Sequence, residues 1–375
     1  MEKRTAIVIG AGIVGLATAR ALALKGFSVK VIERNDKAIG ASIRNFGMLW
    51  PIGQPDGELY ERALQTKSIW KNICDEAGIW YDEVGSLHVA QQQDELNVLG
   101  EVYEHFKKDR QVNMLTQDEI IKVCPAANTE NIIGGLFCKE EMIINPVRAI
   151  KAIPAYFEEK YGVEFIWSKC VSFVNDNEVY VGTHECHEAD LVFICSGIDF
   201  ETLYPEVFKS FPFTKCKLQM LRTIAQPHNW KMGAALCGGL SLIHYKSFAV
   251  ASTLKDLRLR YQHEMSEYLD LGIHVMACQN DVGQITIGDS HEYGKTHTPF
   301  NAEKINKLIT DYLDKIANFP SLQIEETWSG QYPKLTNGDT DIFYSPEPGV
   351  YIINGLGGAG MTLSFGLAEE LIVTI

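Results

Sequence analysis

The chain has 375 residues, 46% of them hydrophobic, so it is long enough for two domains and rich enough in apolar residues for a packed core. The formal net charge of −14 argues against nucleic acid or an anionic membrane as the main partner, although it leaves room for a local basic pocket. Nine scattered cysteines without a Cys-x-x-Cys pair indicate neither a disulfide framework nor a zinc ribbon, and they favour a cytoplasmic location. No apolar stretch is long enough for an integral membrane segment.

Residues 5–33 form the first recognisable unit, a nucleotide-binding βαβ pattern. An apolar strand at residues 6–9 leads into GAGIVG at residues 10–15, which opens an Ala/Leu-rich helix. A second strand at residues 27–32 ends on Glu33. A glycine fingerprint between strand and helix, followed by a terminal acid, predicts dinucleotide binding, whereas the glycines alone would fit a turn without function.

Each position of this fingerprint has an expected role. Gly10 permits the tight turn, Gly12 lets a pyrophosphate approach the backbone, and Gly15 lets helix and strand pack closely. The amides of Ile13 and Val14 open the helix, where its positive end favours phosphate. Glu33 can accept hydrogen bonds from ribose hydroxyls, and its charge makes NADP the least expected ligand.

A loop of little periodicity follows at residues 39–51. It leaves the carboxyl end of the second strand, where ligands bind in such folds. Ser42 and Arg44 are therefore candidates to reach phosphate or ribityl oxygens, and Asn45 and Phe46 to reach a ring. The alternative is a well-packed surface loop.

The middle of the chain gives mostly structural signals. Helical patterns lie at residues 57–77, 96–108 and 145–161, a capping box opens a short helix at Thr116, and Asn301 is the expected cap of a later helix. Residues 163–167, 171–174 and 178–181 suggest a small antiparallel meander. Strands are expected at residues 84–90, 216–225, 240–245, 273–278 and 284–287.

A possible metal motif is set aside. His184, Cys186 and His187 lie in a polar stretch with two glutamates, and no tetrahedral ligand set is visible, so a solvated hairpin is expected and no metal is predicted. Of the other histidines, His263, His274 and His291 are interpreted as structural.

Two further stretches point to a dinucleotide. A buried strand at residues 190–195 ends in Ser196 and Gly197, which let backbone lie close to a ligand. A strand at residues 350–354 is followed by a second glycine turn, residues 355–362, that opens the last helix. A flavin dinucleotide can use both glycine turns, one for phosphate and one for the charge that arrives on the reduced ring, whereas a nicotinamide has no need of the second. The alternative is a glycine-rich packing turn.

These stretches together resemble the flavoenzyme superfamily of D-amino acid oxidase, glycine oxidase and sarcosine oxidase. The resemblance is carried by five stretches: residues 8–15 with Glu33, residues 42–45, the helix start at residues 145–146, residues 194–197 and residues 355–362. It implies noncovalent FAD and an α/β fold, in which a Rossmann-like FAD-binding domain is interleaved with an α+β substrate domain on a mixed, largely antiparallel sheet. The implied division assigns residues 1–83, 140–204 and 326–375 to the FAD domain, and 84–139 and 205–325 to the substrate domain.

The resemblance also implies the cofactor contacts, with backbone at Val171 touching the adenine. The expected FAD-binding residues are Gly10, Gly12, Ile13, Val14, Gly15, Glu33, Arg34, Ser42, Arg44, Asn45, Val171, Ser196, Gly197, Gly357, Gly358, Ala359, Gly360, Met361 and Thr362.

A narrower resemblance is to a bacterial subgroup associated with phosphonate catabolism, carried by residues 40–51, 218–222 and 287–291. It implies an aminophosphonate substrate related to 2-aminoethylphosphonate. Several amino acid oxidases of the superfamily grip a carboxylate with an arginine before the last strand, but residues 330–334 read GQYPK here. To bind the carboxylate of an ordinary α-amino acid, the protein would then need Arg222 or Arg44. Lys334 could instead bind a phosphonate, because its ammonium acts as a point charge.

The resemblance implies oxidation of a small, anionic primary or secondary amine, with hydride passing from carbon to flavin N5 and the imine then hydrolysing. No side chain is required as a base. The substrate-pocket candidates are Asn45, Phe46, His244, Tyr245, Gln331, Tyr332 and Lys334. The alternatives are a glycine, sarcosine or D-amino acid oxidase, an NAD-dependent dehydrogenase, and a non-catalytic flavin-binding subunit. Oxygen and another electron acceptor both remain open.

Overall fold

The computed structural model describes residues 3–375, so residues 1 and 2 of the expected FAD domain lie outside the described part. Its strands are β1 (Thr5–Ile9), β2 (Ser28–Ile32), β3 (Met48–Leu49), β4 (Tyr81–Asp82), β5 (Ser86–Ala90), β6 (Val112–Leu115), β7 (Gly134–Cys138), β8 (Met142–Ile144), β9 (Glu164–Ile166), β10 (Val171–Asn175), β11 (Glu178–Val181), β12 (Glu185–Glu188), β13 (Leu191–Ile194), β14 (Phe213–Thr223), β15 (Ala235–Cys237), β16 (Met276–Gln279), β17 (Ile285–Gly288), β18 (Glu292–Gly294), β19 (Ile324–Leu335), β20 (Ile342–Glu347) and β21 (Val350–Asn354). Its α-helices are α1 (Ile13–Leu24), α2 (Glu58–Ala77), α3 (Gln93–Phe106), α4 (Gln117–Val123), α5 (Pro146–Tyr161), α6 (Pro205–Ser210), α7 (Leu254–Glu264), α8 (Ser266–Asp270), α9 (Glu303–Ile316) and α10 (Gly360–Val373).

The first sheet has the strand order β20-β21-β13-β1-β2-β9, and only β20 runs antiparallel to its neighbour. Strand β1 is central and apolar on both faces, as expected where layers cover a parallel sheet from both sides. Ala6 and Val8 face the core shared with α1, α5 and α10, whereas Ile7 and Ile9 face the small sheet β10-β11-β12.

The second sheet has nine strands in the order β18-β14-β17-β16-β15-β5-β7-β6, with β19 paired along the length of β14. Within it only β15 and β5 pair in parallel. Helices α3, α7 and α9 pack on it and close a separate apolar core. The predicted mixed fold, with a Rossmann-like sheet and a largely antiparallel second sheet, is confirmed.

The two sheets take their strands from alternating parts of the chain. The first uses residues from 5–32, 164–194 and 342–354, and the second from 86–138 and 213–335. Strand β19 pairs with β14 of the second sheet, although the expected division placed residues 326–335 with the FAD domain. The exact division stays a proposal, with this boundary moved.

Residues 163–167 differ from their prediction, whereas residues 184–188 belong to the solvated hairpin that the sequence predicts. Strand β9 pairs in parallel with β2 in the first sheet and is not part of a meander. The meander consists of β10, β11 and β12, and Cys186 and His187 lie on its third strand. A three-residue apolar pattern carries no information about its partner strand, which explains the error.

Two local predictions in the second half were wrong. Residues 240–245 do not form a strand, because residues Gly239–Ile243 are a 3₁₀ helix. Helix α9 begins one residue later than expected, with Ala302 as its N-cap, since the Gln219 side chain accepts the Ala302 amide at 2.8 Å. The first error arises because a short apolar run fits a helix as well as a strand. The second arises because a side chain distant in sequence binds the amide that precedes the helix.

Among the helices that the structure describes, none combines the length and the apolar character that crossing a membrane requires.

Candidate cofactor and substrate site

Two glycines of the first turn are required by the protein itself. Gly10 has a φ of +104°, and a Cβ there would lie 2.6 Å from the Cys195 carbonyl oxygen. A Cβ on Gly15 would lie 1.8 Å from the Gly10 carbonyl oxygen. These positions let β1, β13 and the start of α1 pack closely, as the fingerprint predicts.

Gly12 is different, because the surrounding protein does not demand a glycine there. Its backbone is extended in a way that any residue adopts, and the atom nearest to a built Cβ is Ser42 Oγ at 3.3 Å. Ser42 Oγ accepts the Ile13 amide at 2.9 Å, whereas no atom of residues 3–375 accepts from the amides of Gly12 and Val14. Free amide donors at a helix N-terminus fit a pyrophosphate.

Glu33 lies next to this turn and is hydrogen-bonded to it. Its carboxylate is 8% exposed and accepts the Ala11 amide at 2.9 Å and both the amide and the side-chain nitrogen of Asn35 at 3.1 Å. These bonds hold the carboxylate in place at the end of β2. The neighbouring Arg34 side chain forms an ion pair with Asp199 at 2.5 Å, so it lies across the loop after β13.

The segments expected to line the rest of the dinucleotide lie at the same edge. The Lys169 amide donates to the Glu33 carbonyl at 2.9 Å, which brings the backbone before Val171 beside the acid. The Asn354 side chain donates to the Gly197 carbonyl at 2.9 Å, which ties the loop of Ser196 to the second glycine turn.

The second glycine turn is a 3₁₀ segment, Gly357–Ala359, that runs directly into α10. A Cβ on Gly360 would lie 3.6 Å from Ile13, and one on Gly358 would lie 3.5 Å from the Tyr332 hydroxyl. Both are ordinary van der Waals distances, so packing alone does not require glycine at either position. The contact with Ile13 also shows that the two glycine turns, far apart in sequence, are adjacent in space.

The loop after β2 is anchored to both halves of the site. The Trp50 amide donates to Thr362 Oγ1 at 3.0 Å. The start of α10 is also held by α2, where the Trp70 indole donates to the Met361 carbonyl at 3.0 Å. Arg44 reaches the second sheet, where its guanidinium donates to the Ser329 carbonyl at 3.3 Å.

Asn45 and Phe46 take mainly packing positions. The Asn45 side chain donates to the Ala41 and Ser42 carbonyls and accepts the Gly47 amide at 2.7 Å, so its hydrogen-bonding groups hold the loop itself. Phe46 is 9% exposed and its ring packs near Gly288 of the second sheet. Neither side chain is presented with free polar groups.

Tyr332 and Lys334 lie where β19 passes the second glycine turn. The backbones of Lys334 and Leu356, the residue before Gly357, form an isolated antiparallel β-bridge. The Lys334 ammonium donates to the Tyr293 hydroxyl at 3.0 Å. Burial raises the pKa of Tyr332 well above its usual range, so this hydroxyl keeps its proton at neutral pH.

Gln331 does not belong to this group. Side chains alternate along a strand, so Gln331 projects from the face of β19 opposite to Tyr332 and Lys334. Its place in the substrate pocket stays a prediction, with the strand alternation against it.

His244 and Tyr245 meet two histidines that the sequence analysis took as structural. The ring centroids of His244 and His274 are 3.8 Å apart, and those of His274 and His291 are 5.0 Å apart. His291 also lies 6.5 Å from Tyr332, centroid to centroid. Burial lowers the pKa of His291 to about 4 and that of His274 well below its usual range.

Asp289 completes this group and was missed by sequence reasoning. Its Oδ1 lies 3.2 Å from His274 Nε2, and burial raises the pKa of this carboxyl. The only sequence signal was the segment 287–291, which the narrower resemblance singled out without assigning roles within it.

Three comparisons with known proteins agree with this geometry. The chain matches the family model described as DAO, FAD dependent oxidoreductase, over residues 5–372. It is 31% identical over 126 residues to the mitochondrial L-2-hydroxyglutarate dehydrogenase of Pongo abelii, which covers 32% of this chain and 30% of that protein. The chain thus spans less than a third of the length of this curated relative.

Solved structures are similar over nearly the whole chain. Glycine oxidase from Bacillus cereus ATCC 14579 has a TM-score of 0.77 at 19% identity, with 99% of this chain and 94% of that chain covered. L-proline dehydrogenase from P. horikoshii has a TM-score of 0.77 at 20% identity, with 99% and 92% covered. At these identities the likeness establishes the fold.

The family match extends over both glycine turns, Glu33 and the strands that carry them. It confirms FAD as the expected cofactor, and the unbonded amides of Gly12 and Val14 at the start of α1 fit such a group. The chain therefore belongs to the DAO family of FAD-dependent oxidoreductases.

Proposed function

We propose that this protein oxidises a small anionic amine at the C–H bond next to nitrogen. When bound, FAD supplies the acceptor for the two electrons and the hydrogen that leave this carbon as hydride. The resulting imine takes up water and separates into a carbonyl compound and an amine or ammonia. The observation that carries the proposal is the position of Tyr332 and Lys334 against the second glycine turn.

The cofactor would be held by the residues that the sequence singled out. The first turn and Ser42 would bind the pyrophosphate, and Glu33 the ribose of the adenosine half. The amides that open α10 at Gly358 to Gly360 would face the ring portion. A helix N-terminus there favours the negative charge that the reduced ring carries.

The chain's own part in the reaction is to position the amine. A neutral amine has the lone pair that stabilises the developing imine, so no side-chain base is needed once the carbon is correctly placed. Lys334 is the cation of this region, and Tyr293 fixes its ammonium. It would hold the anionic end of the substrate.

The narrower form of the proposal is an aminophosphonate related to 2-aminoethylphosphonate. A lysine suits a phosphonate as a point charge, whereas the bidentate arginine fork that suits a carboxylate is missing from residues 330–334. Of the two arginines that could substitute, Arg222 forms an ion pair with Glu326 at 2.9 Å, and Arg44 donates to Ser329. Both are thus already engaged on strand β19.

The test is to purify the protein, record its visible spectrum and add amines without oxygen. An oxidised flavin band at about 450 nm should be present and should bleach with 2-aminoethylphosphonate or its N-methyl derivative. Glycine, sarcosine and D-alanine serve as the matched carboxylate panel.

Each result separates the candidates. Bleaching by the carboxylates alone would overturn the aminophosphonate form and favour a glycine, sarcosine or D-amino acid oxidase. A yellow protein that no amine bleaches would favour a non-catalytic flavin subunit, and a protein that stays colourless with added FAD would contradict the cofactor assignment. Reoxidation by air, compared with a quinone analogue, would identify the class of electron acceptor.

A further inference from the structure

Three histidines from separate elements of the second sheet converge beside the substrate region. His244 follows the 3₁₀ helix Gly239–Ile243, His274 precedes β16, and His291 lies between β17 and β18. One ring nitrogen from each lies within 4.8 Å of the other two. No sequence motif joins them, because they come from three separate segments that the antiparallel pairing of β15 with β16 and of β16 with β17 brings together.

The outer nitrogen of His291 is fixed by a backbone acceptor. His291 Nδ1 lies 2.9 Å from the Gly272 carbonyl oxygen, and a carbonyl can only accept, so Nδ1 carries the proton. His291 Nε2 therefore presents a lone pair. A nitrogen in this state repels an anion and suits a metal cation.

His274 lies beside the Asp289 carboxyl group, but the two side chains are not aligned as a hydrogen bond. His274 Nε2 lies 3.2 Å from Asp289 Oδ1, and both residues are almost completely buried. Within residues 3–375, His274 Nδ1 and Asp289 Oδ1 are buried polar atoms without an aligned hydrogen-bond partner. Carboxylate–histidine and carbonyl–histidine pairs of this kind are the usual outer support of metal-binding imidazoles.

We propose that His244, His274 and His291 bind a divalent transition metal ion, with Zn²⁺ as the best-suited example, and that Asp289 orients His274 as its outer partner. Three imidazole ligands suit zinc, whose bonds to histidine nitrogen are about 2.0–2.1 Å long. The spread of up to 4.8 Å must narrow on binding. The exposed side chain of His244 can supply that movement, because no side-chain hydrogen bond holds it among the described residues.

The ion would leave one coordination position for a solvent molecule or an oxyanion, as in zinc sites with three protein ligands. That position would lie near Tyr332, which separates His291 from the second glycine turn. The Lys334 ammonium is the nearby positive charge, and it donates to the hydroxyl of Tyr293, whose ring stacks on that of His291. The inference concerns metal binding alone and stands whether or not the substrate is an amine.

The experiment uses the FAD-loaded protein, dialysed against a chelator, incubated with Zn²⁺ or Co²⁺ and freed of excess metal. Elemental analysis should find about one metal ion per chain, and Co²⁺ should add visible ligand-field absorption beside the flavin spectrum. His291→Gln should abolish stoichiometric binding. Asp289→Asn should weaken metal affinity about 10- to 100-fold, the usual effect of losing an outer partner.

His263→Gln is the matched control, because His263 is an exposed histidine on α7 that belongs to no cluster. It should bind metal like the parent protein. Retained flavin absorbance in every variant distinguishes loss of the metal from loss of the fold. Metal content in the parent no higher than in His291→Gln would overturn the proposal. A higher unfolding temperature of the metal-free protein in inorganic phosphate, without metal uptake, would also overturn the proposal in favour of an anion site.

Discussion

At the scale of single residues, the glycines of the two turns separate into those that the surrounding protein requires and those that it does not. Gly10 and Gly15 would clash with backbone if they carried a Cβ, so any protein with this turn would require them. Gly12, Gly358 and Gly360 meet only distances of 3.3 to 3.6 Å, which a small shift accommodates. The second group keeps open the space that a dinucleotide would fill.

Gly12→Val tests this distinction. Its side chain would occupy the space before the free amides of α1, so we expect a folded protein that binds no FAD. The yellow colour after incubation with FAD and gel filtration is the measurement. Gly100→Val on α3 is the control, because a Cβ there meets no atom within 4 Å, and it should stay yellow. An FAD-replete Gly12→Val protein would contradict the pyrophosphate site.

Lys334→Ala tests the anion site. Removing a charge-assisted hydrogen bond costs about 1.5–3 kcal/mol, so the KM for an anionic amine should rise about 10- to 100-fold while the flavin spectrum stays the same. Lys307→Ala, an exposed lysine on α9 paired with Asp311, should leave KM unchanged. If the two variants behave alike, Lys334 is not part of the pocket.

At the scale of elements, predictions succeeded where the local sequence contains the whole cause. Helix α5 begins at Asn145, whose side chain accepts the Arg148 amide at 3.2 Å, and ends at Gly162 in the left-handed conformation, as predicted. The capping box at Thr116 is also confirmed. Strand β9 and the start of α9 depended on a partner strand and on the Gln219 side chain, neither of which is visible locally.

Glu141, the residue before β8, forms hydrogen bonds to the loop after β3 and to strand β5. Its carboxylate is fully buried and accepts the Ile52 amide and the Ser86 hydroxyl, both at 2.9 Å. Burial raises its pKa from 4.5 to about 7. Because the folded protein then holds this proton more tightly than the unfolded chain does, its contribution to stability is present below about pH 4.5 and is lost as the pH rises to about 7.

Glu141→Gln should remove that pH dependence, because an amide keeps an acceptor for Ile52 and cannot ionise. The parent should lose about 3 kcal/mol of unfolding free energy between about pH 4.5 and pH 8 from this group, and the variant should not. Thermal unfolding midpoints of both FAD-loaded proteins across this range are the measurement. Parallel midpoint curves would show that Glu141 does not titrate in this window.

At the scale of the whole molecule, the cofactor half of the site was predictable and the histidine group was not. Each of the two glycine turns carries its own strand–glycine–helix signature, so it could be recognised without knowing its neighbours. His244, His274 and His291 carry no such signature, and Asp289 is aligned with them only through the pairing of the second sheet. Their proximity is a property of the interleaved topology, which local patterns do not encode.

The same topology makes FAD a link between distant parts of the chain. The residues proposed to hold it come from the starts of α1 and α10 and from the loop after β13, which meet only in the folded protein. A ligand that binds only the folded state at about 1,000 times its Kd adds about 4 kcal/mol of stability. Removing FAD should therefore lower the unfolding temperature, and added FAD should restore it in a concentration-dependent way.

Hydrogen exchange locates this effect. In the FAD-free protein, exchange should rise most at the amides of Gly12 and Val14 and at the start of α10, because these donors lose their expected acceptor. Helix α9, packed on the second sheet, should change little. The Gly12→Val protein should unfold at the temperature of the FAD-free parent and should not respond to FAD. Uniform exchange across both sheets would mean that FAD supports the fold globally and that the two glycine turns have no special part in holding it.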